Sequence, residues 1–204
     1  MHEIERFEHA GKVVRICRDE DPTSPREWGN LATLACWHRR EKLGDEQIAP
    51  CSEDELRERL MNEGERVVAV LPLYLYQHSG MTMNTTGFSC PWDSGQVGWA
   101  YVTETAARRW RGFGTVTSQA WFEDAIRQEV STYDEYLTGQ VYGYEVETLD
   151  GDFIDSCWNF YGGLAYVREE ARSAAEYAED PHAAEKAEEL ASRATFAAGE
   201  GAYA

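Results

Sequence analysis

Residues 67–102, VVAVLPLYLYQHSGMTMNTTGFSCPWDSGQVGWAYV, constrain the fold more than any other stretch of the chain. Two apolar runs, Val67 to Tyr76 and Val97 to Val102, are rich in β-branched and aromatic residues and are bounded by glycine and proline, which predicts two strands. The connection between them is long. Connections of this length without a helix of their own are uncommon in compact domains and are often functional, so the loop holding His78, Cys90 and Asp93 is the first place to look for chemistry.

The flanking segments supply the rest of an α+β chain. Lys12 to Arg18 (KVVRICR) predicts a short strand ending at the acidic turn Asp19-Glu20-Asp21-Pro22, and TSPREWGN is irregular because prolines and a glycine punctuate it. LATLACWH, residues 31–38, is read as a strand. Ser52 and Glu55 form a capping box, each side chain able to satisfy the other's backbone amide, so a helix opens there, turns Leu56 and Leu60 inward and closes at Gly64. TETAARRWRGFG predicts a short helical turn broken by Gly112 and Gly114. Thr117 or Ser118 then caps a longer helix. Phe122, Ile126, Val130, Tyr133 and Leu137 recur at spacings of 4, 4, 3 and 4, one stripe of a helix that covers a sheet and stops at Gly139. Its outward residues Glu123, Asp124, Arg127 and Glu135 are read as a solvated face.

GQVYGYEVETLDGDFIDSCWNFYG predicts a β-hairpin with Asp150-Gly151 as the turn, a pair whose tolerance of positive φ suits a two-residue connection. From Leu164 onward the chain is rich in Ala, Glu and Arg and is helical, interrupted at Asp180-Pro181. The predicted fold is α+β: a mainly antiparallel sheet of five or six strands, covered by the helix at 118–138 and by a C-terminal helical segment. In domain terms, residues 1–163 form the α+β body and 164–204 an acidic helical segment packed on it or extending from it.

The formal charge of −18 is unevenly placed, at −5 over residues 1–70, −1 over 71–130 and −12 over 131–204. Such a field repels nucleic acid phosphates and attracts basic surfaces, including proteins that grip DNA; the plainer reading of an acidic surface is solubility. Five widely spaced cysteines (Cys17, Cys36, Cys51, Cys90, Cys157) contain no CxxC pair. With no apolar leader after MHEIERFEHAGK and no long apolar run, the expectation is a cytoplasmic protein with free thiols and no membrane span.

No P-loop, GxGxxG, HExxH or GxSxG motif is present, which lowers the expectation of a common enzyme class. A Cys90–His78–Asp93 constellation could support a thiol-dependent hydrolase or transferase: the imidazole would activate the thiol and the carboxylate would fix the imidazole tautomer. The competing reading, a packed and inert thiol, is favoured because free cysteine usually behaves as a small apolar side chain. A metal held by His78, Cys90 and Asp93, perhaps with Cys157, fits no standard spacing, so neither metal nor cofactor is expected. Trp92, Trp99, Trp110, Trp121 and Trp158 are read mainly as core. The His38-Arg39-Arg40 cluster could hold a phosphate, but internal pairing with Glu41, Asp45 or Glu46 is preferred. Asp150, Asp152 and Asp155 are read as a solvated turn, since their spacing is not that of a calcium loop.

Three blocks, PREWGNLATLACWHRREKLGD (25–45), LYLYQHSGMTMNTTGFSCPWDSGQVGWAYVT (73–103) and YLTGQVYGYEVETLDGDFIDSCWNFYGG (136–163), cover about 80 residues. Together they resemble a family of open reading frames carried by bacteriophages, plasmids and integrative elements, the middle block most specifically. The resemblance carries no catalytic residues. It implies a bacterial host cytoplasm and a setting in which accessory proteins inhibit host restriction or CRISPR systems. Joined to the acidic last third, it leads to the expectation of a phage or mobile-element protein that blocks a basic host defence protein or nucleoprotein complex by mimicking DNA. It would not bind nucleic acid directly. The expected contacts are Glu169, Glu170, Glu176, Glu179, Asp180, Glu185, Glu188 and Glu189.

Overall fold

A computed structural model describes residues 2–110, 118–179, 188 and 191. In chain order the elements are β1 (His2–His9), β2 (Lys12–Arg18), β3 (Thr33–Cys36), β4 (Glu46–Gln47), α1 (Glu53–Asn62), β5 (Val67–Gln77) and β6 (Met81–Asn84). There follow β7 (Ser94–Thr103), α2 (Glu104–Trp110), α3 (Gln119–Leu137), β8 (Tyr142–Thr148), β9 (Phe153–Phe160) and α4 (Gly163–Tyr177). The α+β class is as the sequence predicts. The strands form two sheets, however, one of four strands and one of five. They belong to two compact units: unit 1 joins residues 1–20 to 142–204, and unit 2 is residues 21–141.

In unit 1 the order is β1-β2-β8-β9, antiparallel throughout. Strand alternation sends Val14 and Ile16 of β2 and Tyr142, Tyr144 and Val146 of β8 to one face, where Val167, Ala171 and Ala175 of α4 cover them. Those three helix residues recur every four positions and are fully buried, the small side chains letting α4 lie close to the sheet. The hairpin turns through three residues, Leu149-Asp150-Gly151, where two were expected: the Gly151 amide donates to the Thr148 carbonyl (3.1 Å), the Thr148 amide donates to the Asp152 carbonyl (2.8 Å), and only Gly151 of the three takes positive φ, at 93°. The opposite face is charged. Arg15 at its centre donates to Glu3 (2.8 Å), Glu145 (3.0 Å) and Glu147 (3.0 Å).

In unit 2 the order is β4-β3-β7-β5-β6, with only the short β3–β4 pair parallel. This sheet is covered on both faces. Leu34 and Cys36 of β3 and Ala100 and Val102 of β7 meet Phe122, Ile126, Val130 and Tyr133 of α3, whereas Ala35, Tyr101 and Trp99 turn the other way onto Leu56 and Leu60 of α1. The predicted caps are in place: Ser52 and Glu55 form the reciprocal capping box of α1, and Ser118 accepts from the Trp121 amide at the start of α3. Pro72 sits on β5 opposite Trp99, short of the span where β6 pairs on the other side, so its missing N–H breaks no described ladder.

One buried polar knot ties the start of unit 2 to α3. The Arg26 side chain, 6% exposed, donates through Nε and Nη2 to the Asp45 carboxylate (3.0 and 2.7 Å), through Nη1 to Glu129 (3.1 Å) and through Nη2 to the Ala32 carbonyl (2.8 Å). Each carboxylate also accepts a backbone amide, Glu129 from Leu31 (2.8 Å) and Asp45 from Leu34 (2.7 Å). Every charge in the knot is therefore paired and hydrogen-bonded, the condition under which buried ions are tolerated.

Several expectations change. β1, β4 and β6 were not anticipated. The core reading fails for Trp92, Trp110 and Trp121, which are 91%, 39% and 44% exposed. Among the described residues no helix is long and apolar enough to cross a membrane.

Candidate functional site

The β5–β7 connection is built by β6, which folds back on β5 so that Gln77 pairs with Met81. The turn is tight: the His78 amide donates to the Gly80 carbonyl (3.1 Å) and Ser79 takes φ 59°. Asn84 then organises the chain beyond β6, its Oδ1 accepting from the Thr86 and Gly87 amides at 3.1 and 2.7 Å. At the far end the Gln77 amide donates to the Asp93 carbonyl (2.8 Å), which brings His78 back beside Asp93.

All three residues singled out in the loop do meet there. The Cys90 thiol donates to Asp93 Oδ2 at 3.7 Å, and His78 Nδ1 lies 3.6 Å from the same oxygen. The order is Cys–Asp–His. A nucleophilic relay needs the imidazole against the sulfur and the carboxylate behind it, and here the carboxylate takes the middle place. His78 and Asp93 are also 68% and 40% exposed, and their separation exceeds hydrogen-bond reach, so the pair is held only loosely. Trp92, beside them, projects almost fully into solvent. Among the described residues no group of three His, Cys, Asp or Glu side chains is arranged to hold a metal ion.

The acidic set lies in unit 1. Glu169, Glu170, Glu176 and Glu179 are exposed on α4 or just beyond it; Glu188 is exposed too, while Asp180, Glu185 and Glu189 lie outside the described residues. What surrounds these acids was not legible beforehand. Arg168, the helix's nearest cation to Glu169, turns onto β1 and donates to Glu5 at 2.6 Å. Arg172 lies over the Phe7 ring, 5.3 Å from its centroid. Glu176 is 3.0 Å from His9, whereas Glu169, Glu170 and Glu179 have no ion pair among the described residues. By sequence count unit 1 has 19 acids against 8 bases, a formal charge of −11.

The His38-Arg39-Arg40 cluster is a correction. Asp45 is occupied by Arg26, and Glu46 by Arg59 (3.2 Å) and the Tyr101 hydroxyl (3.2 Å). Glu41 contributes only its backbone amide, which donates to His38 Nδ1 at 3.0 Å. Arg39 and Arg40 have no carboxylate partner among the described residues, so proximity in sequence does not become pairing in space. Sequence reasoning also missed the apolar cleft beside them.

Compared with known proteins, the chain matches no family model, no curated protein and no solved structure.

Proposed function

We propose that this chain is a binding protein without catalytic chemistry of its own, and that it docks a basic protein partner against the acidic outer side of α4. The observation that carries this reading is the division of labour along one helix: both arginines of α4 are engaged by β1, at Glu5 and Phe7, while Glu169, Glu170 and Glu179 face solvent without an ion pair among the described residues and Glu176, also exposed, meets only His9. The carboxylates act together as a field. In its finer form, the proposal is a phage or mobile-element accessory protein whose acidic surface takes the place of DNA on a host restriction or CRISPR component. The resemblance to mobile-element reading frames supports that setting.

The test is a salt series on a partner captured from bacterial host extract, with wild type beside a Glu169→Lys, Glu170→Lys, Glu176→Lys, Glu179→Lys variant. Affinity should fall steeply between low and physiological ionic strength, because exposed charges are screened over about 8–10 Å, and the variant should not bind. Binding indifferent to salt would overturn the proposal. The alternative, a thiol-dependent hydrolase or transferase using Cys90, His78 and Asp93, requires an imidazole–sulfur contact in the place that Asp93 occupies.

A further inference from the structure

We infer that unit 2 binds a small nucleotide in the cleft at the end of β3, independently of the acidic surface of unit 1. The cleft has a volume of about 800 Å³ and is lined entirely by residues of unit 2, a size within the usual range for small-ligand sites.

Its floor is apolar and fixed in place. Trp37, Ile48 and Val97 line it, and the backbone beneath them is closed by hydrogen bonds from the Trp37 amide to the Val97 carbonyl (2.7 Å) and from the Ile48 amide to the Cys36 carbonyl (2.9 Å). A floor with an indole in it offers a face on which a planar heterocycle can stack, an interaction every nucleobase can make.

The rim is cationic and uncommitted. His38, Arg39 and Arg40 line the same cleft. Because the Glu41 amide donates to His38 Nδ1, the neutral ring carries its proton on Nε2 and presents a donor there. Elsewhere in unit 2, Arg26, Arg57, Arg59, Arg66, Arg108 and Arg127 are each paired with a carboxylate. Arg109, away from the cleft lining, also has no ion pair among the described residues; Arg39 and Arg40 differ from it in being two adjacent guanidinium groups, without a carboxylate partner among the described residues, beside an apolar floor. Guanidinium forks match phosphate oxygens in both geometry and charge. Gln47 and Gln77 add amides suited to a base edge, and Pro50 completes the lining; Gln47 Nε2 donates to the Leu43 carbonyl at 2.6 Å, which leaves its Oε1 as an acceptor.

Charge selects the size of the ligand. A nucleic acid strand would bring a run of phosphates against a chain of formal charge −18, whereas a single nucleotide brings its negative charge only to the uncompensated arginines.

The experiment is isothermal titration calorimetry of the full chain with ADP, GDP, CDP and UDP. The parallel arms are the matching nucleosides, inorganic phosphate and a short single-stranded oligonucleotide. At least one diphosphate should give saturable binding, and its nucleoside should bind roughly tenfold or more weakly. Arg39→Ala with Arg40→Ala should weaken the diphosphate by a similar factor without altering thermal unfolding, since both residues are exposed and have no ion-pair partner among the described residues. Lys42→Ala, a neighbouring cation outside the cleft lining, should leave the affinity unchanged. The inference is overturned if no diphosphate saturates, if the double variant binds as wild type does, if inorganic phosphate binds as tightly as the nucleotide, or if the oligonucleotide binds more tightly than any single nucleotide.

Discussion

Arg26 Nη1 donates to Glu129 Oε2 at 3.1 Å, although the two residues lie 103 positions apart. The same guanidinium grips Asp45 and the Ala32 carbonyl, so the short helical turn at Pro25–Glu27, β3 and α3 share one buried charge cluster. Replacing Arg26 with alanine strands two carboxylates that are 26% and 18% exposed. The expected cost is about 3–5 kcal/mol, the range for breaking a buried ion pair by removing one partner. Urea unfolding monitored by circular dichroism measures it; a loss under about 1 kcal/mol would mean that solvent reaches the cluster and screens it.

Burial drives the Cys36 thiol up to about 12 from an ordinary value of 9.0, with the nearby Asp45 carboxylate adding to the effect. A group whose folded value is raised stabilises the protein fully below its unfolded value and loses that contribution as pH rises through the folded one. Stability should therefore decline between about pH 9 and pH 12. The Tyr101 hydroxyl, pushed up by burial and then by Glu46, has the same sign. Cys36→Ala should flatten part of the slope of urea midpoint against pH; an unchanged slope would assign the alkaline loss to other groups.

Glu5 shows the opposite sign. Its hydrogen bonds from Arg168 hold the carboxyl below its usual value of 4.5. Its contribution is present above the ordinary carboxylate range and is lost as pH falls through the lowered value. The gap in urea midpoint between wild type and Glu5→Gln should be open at neutral pH and should close as the solution is acidified below that range. A gap independent of pH would show that Glu5 acts by packing alone.

Thiol chemistry separates the five cysteines. Cys157 is exposed, Cys51 and Cys90 are half-buried, and Cys17 and Cys36 are fully buried. With iodoacetamide at neutral pH, peptide mass spectrometry should find Cys157 modified first and Cys17 and Cys36 only after unfolding. Cys90, with Asp93 and not His78 against its sulfur, should react no faster than Cys157. Selective modification of Cys90 ahead of Cys157 would reinstate the nucleophile reading.

Local signals in the sequence were readable where neighbouring residues decide the outcome. The capping box at Ser52 and Glu55, the α3 stripe and the β8–β9 hairpin all satisfy themselves within a few positions, and all are present, the hairpin with a turn one residue longer than the Asp150-Gly151 pair predicts. β1 was hidden because its ladder shifts register between Glu3 and Glu5, so the inward residues Ile4 and Phe7 are three positions apart and the period of two is broken. The division into two sheets was hidden for another reason: alternation reports which face of a strand is apolar, not which strand will be its neighbour. For the candidate sites, the meeting of His78, Cys90 and Asp93 followed from their shared loop, but their order did not. The freedom of Arg39 and Arg40 depends on Arg26 and Arg59 having claimed Asp45 and Glu46, competition that spacing along the chain does not reveal.

Arg18, at the end of β2, and Tyr142, at the start of β8, are register partners, so unit 2 leaves and returns through adjacent positions of a single ladder. The chain is nested: as it emerges from the ribosome, the first hairpin must wait, its inner edge unpaired, while all of residues 21–141 are synthesised before the strand that completes it appears. During translation the guest can thus mature before its host, and a short linker in place of those residues would turn β2 and β8 into neighbours in sequence as well as in space.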